Sequence, residues 1–148
     1  MIRYVHTNII AKDADRLVSF YKEAVGCRSI GETRDLRGDW LDRMTGLPGA
    51  HITGEHLVLP GYGVDHPTLE IFSYDHMVEQ DTHAINAYGI AHLAFEVDDV
   101  AETLDRVLAF GGGQIGELVH VDYDDGKKAV FVYATDPEGN ILELQSWG

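Results

Sequence analysis

The stretch VHTNIIAKDADRLVSFYKEAVGCRSIGE, residues 5–32, has a second copy in AHLAFEVDDVAETLDRVLAFGGGQIGE, residues 91–117. His6 matches His92, Asp13 matches Asp99 and Gly26 matches Gly112, each pair 86 residues apart. Fixed-period self-similarity is the signature of a repeated structural unit. Both copies read strand, helix, glycine break, strand. The ends of the halves match as well: LEIFSY (69–74) aligns with LELQSW (142–147) at an offset of 73. The shorter offset means that the first half carries extra residues, which we place at 36–49 (LRGDWLDRMTGLPG). Trp40, Leu41, Met44 and Leu47 there are spaced for a short amphipathic helix closing over a cavity.

Outward from the repeat, hydrophobic periodicity gives two βαβββ units. In the first, residues 2–10 read as a strand. Asp13 or Asp15 caps a helix whose stripe is Leu17, Phe20, Tyr21 and Val25 and which stops at Gly26. Strands are expected at 27–33, 51–59 and 67–74. In the second, a strand at 90–97 leads to a cap at Asp98 or Asp99 and a stripe of Val100, Leu104, Val107 and Leu108. Strands are expected at 114–121, 128–135 and 140–147, the last two joined by a turn at Asp136-Pro137-Glu138-Gly139. The fold class is α+β, one domain over 1–148 with a first module at about 1–74, a linker at 75–88 and a second module at about 89–148.

Alternation along a strand tells which way each polar residue points. If Leu142 and Leu144 face the helices, Glu143 faces the opposite side. The same logic separates Glu70 from Leu69 and Ile71. The histidines sit at equivalent positions of the two first strands. Pseudo-twofold symmetry then brings His6, Glu70, His92 and Glu143 toward one centre. A single histidine on a strand is more often structural than ligating; four residues related by an independent repeat are another matter. Imidazole suits Zn, Ni, Co and Fe, and carboxylate suits harder ions such as Mn. Two neutral histidines and two carboxylates neutralise one divalent ion of this group and leave adjacent positions for two substrate oxygens.

Asn8, two residues from His6, is expected on the same face as a supporting or substrate contact. Trp40 is a candidate lid residue, and His120, Tyr123 and Tyr133 are candidate cavity residues, with strand-edge packing as the plainer reading of each. Glu55 reads as solvated. His51, His56, His66, His76 and His83 read as lacking partner spacing, and Cys27 as ordinary packing.

Eleven basic against 25 acidic residues give a net charge of −14, which disfavours nucleic acid or an anionic membrane as partner. No apolar run is long enough to span a bilayer, and the N-terminus lacks a secretory pattern. With one cysteine, Cys27, a cytoplasmic location is expected.

At these residues the chain resembles the vicinal oxygen chelate superfamily, which includes glyoxalase I, methylmalonyl-CoA epimerase, extradiol dioxygenases and the fosfomycin and bleomycin resistance proteins. The likeness spans the chain, from VHTNIIAKDADRLVSFYKEAVG through AHLAFEVDDV to ATDPEGNILELQ, and is nearest the metal-dependent epimerase and lyase branch. It implies paired βαβββ modules in a U-shaped, partly open barrel, with metal ligands from the first and last strand of each module. It also implies an enzyme acting on a small molecule through vicinal oxygens. Dimeric relatives make a homodimer the expected assembly, with each site built within one chain or across two.

Departures from family patterns matter. In small bacterial glyoxalase I enzymes the resemblance places a glutathione-binding arginine where this chain has Ile10, and an asparagine where it has Tyr74. Glu70 stands where the epimerases usually have glutamine. The expected chemistry is proton transfer next to a carbonyl, in an epimerase, isomerase or lyase, with Glu143 as base and Glu70 as second base. The alternatives are a non-haem Fe(II) dioxygenase using His6, His92 and Glu143, and a protein that binds a small molecule without turnover.

Overall fold

The computed structural model describes residues 1–63, 66–80 and 83–148. The chain divides into two compact units, one of residues 1–22 and 26–79, the other of 23–25 and 80–148.

The first unit begins with β1 (His6–Ile10) and α1 (Ala14–Phe20), extended by a π-helical turn at Tyr21–Val25. Then come β2 (Arg28–Ser29), β3 (Arg34–Arg37), α2 (Asp39–Thr45), β4 (His51–Val58) and β5 (Thr68–Tyr74). The sheet runs β1-β5-β4-β2, with β3 also paired to β4; β1 and β5 are parallel and the other pairs antiparallel. The second unit holds β6 (Leu93–Glu96), α3 (Val100–Ala109), β7 (Gly113–Asp122), β8 (Lys128–Thr135) and β9 (Ile141–Trp147). Its order is β6-β9-β8-β7, and β6 and β9 are again the parallel pair. The fold is α+β, and in each unit the first and last strands lie side by side.

The helices are built alike. Asp13 caps α1 by accepting from the Arg16 N–H at 3.0 Å, and Asp99 caps α3 by accepting from the Glu102 N–H at 2.9 Å. Leu17, Phe20 and Tyr21 are buried on one side of α1, as are Val100, Thr103, Leu104 and Val107 on α3. Burial of each large apolar side chain there contributes roughly 1.5–3 kcal/mol. Leu108, expected in that stripe, is 43% exposed, and Thr103 takes its place at helical spacing. Three strands are shorter than expected, that expected at 90–97 spanning only Leu93–Glu96 and so starting just after His92. The first begins at His6, leaving Met1 and Ile2 fully exposed, and residues 27–33 contribute only the two-residue β2.

The 36–49 segment does form a helix, α2, but only Leu41 of its apolar residues is buried; Trp40, Met44 and Leu47 are about half-exposed or more. Leu41 packs with Ala50, Ile52 and Phe72. Ile52 and Phe72 share a face of the sheet with Glu70, so the helix covers one end of that face. Gly54, on β4 in register with Phe72, has φ +146°, and a Cβ there would lie 2.0 Å from the Ile71 carbonyl oxygen. Only glycine fits.

Asp136 holds the turn before β9. It is buried, its Oδ1 accepts from the Glu138 and Asn140 N–H groups at 2.9 and 3.0 Å, and its Oδ2 from Asn140 Nδ2 at 2.8 Å. Truncation leaves those donors unpaired. Asp136→Ala should therefore lower the free energy of unfolding by about 2 kcal/mol, read from urea denaturation; an unchanged midpoint would refute this role.

His51, which shows no partner in sequence, ties three elements together. Its Nδ1 lies 2.8 Å from Asp75 and its Nε2 2.7 Å from Asp35 at the end of β3. Each ring nitrogen faces a carboxylate oxygen, an arrangement that favours the imidazolium form. The Asp75 and Asp35 hydrogen bonds raise its pKa against burial and the nearby Arg37 charge, and the His51 hydrogen bond is the main cause lowering that of Asp35. A raised histidine pKa stabilises the fold fully below the unfolded value of about 6.5, and the effect fades as pH climbs through the folded value. For Asp35 it is present above about 3.9 and fades as pH falls through the lowered folded value. Thermal melts of His51→Gln against the parent should differ most between about pH 5 and 6.5 and converge at alkaline pH. A difference that grows with pH would contradict the clamp.

Candidate functional site

The parallel pairing of first and last strands brings a histidine beside a glutamate in each unit. In the first unit Asn8 is in register with Glu70, and His6 lies two residues before it on the same face. His6 Nε2 is 3.3 Å from Glu70 Oε2, and Asn8 Nδ2 donates to that oxygen at 3.3 Å. In the second unit Ala94 is in register with Glu143, and His92 precedes it by two. His92 Nε2 is 3.2 Å from Glu143 Oε2. The two pairs have the same geometry because the same strands make them.

A second neighbour also repeats. Tyr133 on β8 is in register with Glu143, and His56 on β4 is in register with Glu70. The Tyr133 ring lies 5.3 Å from His92, and its hydroxyl donates to Glu143. Burial, then the Glu143 charge and that hydrogen bond, push the phenol pKa up and keep the hydroxyl protonated. His56 Nδ1 is 3.9 Å from Glu70 Oε1, its Nε2 meets Thr68 Oγ1 at 2.5 Å, and its ring packs edge-on to His6 at 6.1 Å. Burial lowers its pKa, outweighing the attraction of Glu70.

His56 is the residue that sequence reasoning missed. It precedes Glu70 by 14 residues, whereas Tyr133 precedes Glu143 by 10, because the connection 59–67 is four residues longer than 136–140. Register is set by the turn, and only pairing reveals the equivalence.

Of the remaining candidates, Asn8 and Tyr133 stand beside the glutamates. Tyr123 lies at the other end of the second unit's sheet, stacked on Trp147 at 5.6 Å, and Trp147 takes Phe131 edge-on at 5.5 Å. Phe131 and Trp147 share the Glu143 face, so that face continues as an aromatic surface. His120 is a correction. It pairs with Val130, out of phase with Phe131 and Tyr133, and so belongs to the opposite face. Trp40 is 48% exposed, and Glu55, expected to be solvated, accepts from Lys22 and Ser29 instead. Cys27 is buried, which pushes its thiol pKa up to about 12.

His92 Nδ1 is buried without a hydrogen-bond partner among the described residues. Such an atom is costly unless something completes it. Among the described residues no three or more His, Cys, Asp or Glu side chains are grouped so as to hold a metal ion. No helix of the described residues is long and apolar enough to cross a membrane.

A unit used twice, in which parallel first and last strands bring a histidine beside a glutamate, defines a class of two-module α+β folds. The chain belongs to the glyoxalase/bleomycin resistance protein/dioxygenase superfamily, whose family model matches residues 3–144. It is 26% identical to the lactoylglutathione lyase of Haemophilus influenzae over 97% of this chain and 91% of that one. It is 31% identical, over 99% of its length, to a probable chloroplastic lactoylglutathione lyase of Arabidopsis thaliana, but spans only 36% of that protein. Among solved structures, a glyoxalase family protein from Bacillus cereus superposes with a TM-score of 0.76 at 23% identity, covering 99% of this chain and 93% of that one. A fosfomycin resistance protein from Listeria monocytogenes, solved with Mn(II) and 1S,2S-dihydroxypropylphosphonic acid, gives 0.57 at 17% identity, covering 97% and 92%.

Proposed function

We propose that the protein is a divalent-metal-dependent enzyme that moves a proton next to a carbonyl of a small substrate, as an epimerase, isomerase or lyase. The observation that carries this is the duplicated pair, His6–Glu70 and His92–Glu143, closed at 3.3 and 3.2 Å. The residues suit a divalent ion: two imidazoles whose Nε2 atoms each face a carboxylate oxygen. His6, Glu70, His92 and Glu143 would hold it, with the two pairs supplied by one chain or by two. When bound, the ion supplies Lewis acidity toward two vicinal substrate oxygens. Family membership and the names of the relatives support metal-assisted lyase-like chemistry.

Glu143 takes the proton from the carbon beside the carbonyl, and Glu70, its counterpart under the repeat, returns one. The Tyr133 hydroxyl orients the Glu143 carboxylate; Asn8 orients that of Glu70. Ile10 and Tyr74 stand where the resemblance puts glutathione contacts, so we assign a substrate other than a glutathione adduct.

The test is solvent exchange. Protein loaded in turn with Zn, Ni, Co, Mn and Fe is incubated in deuterated water with a panel of 2-hydroxy and 2-oxo carbonyl compounds. Deuterium should enter at the carbon next to the carbonyl of one class, seen by NMR. Oxygen consumption with catechols, and no exchange, would overturn the reading.

A further inference from the structure

On the face of the first unit that carries His6, Glu70 and His56, the far edge of the sheet presents two arginines. Arg28 on β2 is in register with Val58, and Arg34 on β3 with Gly54, so they flank His56 along β4 by one same-face position each. The guanidinium of Arg34 lies over Gly31, where a side chain would begin 3.8 Å from it. Its charge is near enough to be felt at His56. In a chain of net charge −14, neither arginine has a carboxylate partner among the described residues, and Arg34 is half-buried. On the opposite face of the same sheet the pattern reverses: Lys22 pairs with Glu55 at 3.0 Å and Arg37 with Asp35 at 3.0 Å. The acids thus neutralise the outer cations and leave those of the site face open. An arginine fork left open on that face is suited to a carboxylate or phosphate, two of whose oxygens it meets through paired hydrogen bonds.

We propose that Arg34, assisted by Arg28, binds a second anionic group of the substrate, a carboxylate or phosphate placed away from the carbonyl. The proposal deepens the metal-dependent reading above and names its substrate class: a carbonyl compound with a distal oxyanion.

The full-length chain is titrated with 2-oxoglutarate and with 2-oxobutyrate by calorimetry, with and without Mn(II). 2-Oxoglutarate should bind at least about tenfold more tightly. Arg34→Gln should erase that preference, leaving 2-oxobutyrate and Mn(II) affinities within about twofold, and Arg34→Lys should keep part of it, since a point charge replaces a fork. Competition by inorganic phosphate assigns the site to phosphate as well; its absence restricts the site to carboxylate. Equal binding of the two acids by the parent chain, or equal weakening of both by Arg34→Gln, would overturn the proposal. If Mn(II) fails to bind while the Arg34-dependent preference persists, the metal reading falls and the anion site stands.

Discussion

Glu143→Gln eliminates deuterium exchange, lowering its rate by about a hundredfold or more while the metal remains bound. The amide keeps an oxygen donor and the shape of the side chain, but cannot accept a proton from carbon. Loss of a positioned general base costs about 10²–10⁴ in rate. Tyr133 should still donate to the amide oxygen, as it does to the carboxylate, so the side chain stays in place. Glu70→Gln separates two mechanisms. With one base, exchange survives this change; with two, exchange at one face survives and inversion at carbon stops. If Glu143→Gln exchanges at the parent rate, Glu143 is not the base.

His92→Ala weakens metal binding by more than a hundredfold, read as a dissociation constant from a competitive chelator titration. The estimate is a floor, since removing a group that merely supports a ligand already costs about 10–100-fold. The change also removes the orphaned Nδ1, so the metal-free fold loses a buried unpaired atom and should not be destabilised as an ordinary core truncation would be. His6→Ala should lose metal similarly, because His6 occupies the matching position of the repeat. By contrast His120→Ala, on the opposite face of β7, should leave the affinity unchanged. A metal affinity indifferent to His92 would remove this residue from the site.

The duplication, the strand–helix order and the four ligand candidates were legible because they depend on alternation within single strands. A residue's face is readable wherever its neighbours are plainly buried, as at Leu142, Glu143 and Leu144. Facts that depend on pairing between strands were not legible. His56 lies opposite Glu70 only because of the length of the connection between β4 and β5. The face of His120 is fixed by its pairing with Val130, which places it out of phase with Phe131 and Tyr133 and which the sequence of β7 alone does not report. Tyr123 lies beyond the end of β7, yet reaches Trp147 on the Glu143 face. The half-exposed apolar residues of α2 show a further limit. Helical spacing indicates the helix, but Leu41 alone among them is buried, packed with Ala50, Ile52 and Phe72.

Glu143 and Glu70 also differ in ways the repeat alone does not suggest. A phenol is bonded to one, and an imidazole held by Thr68 faces the other. Identical neighbours would suit a reaction symmetric about its substrate. Unlike neighbours suit two carboxylates with different tasks, one taking a proton and the other giving it back.

His6, Glu70, His92 and Glu143 are proposed to form one metal shell. X-ray absorption at the metal edge tests it most directly, on protein loaded with one equivalent of Co(II) or Zn(II) per chain. Two imidazoles are expected among nitrogen and oxygen donors, with one imidazole lost in His6→Ala and one in His92→Ala. A shell of oxygen donors alone, or one unchanged by both substitutions, would contradict it.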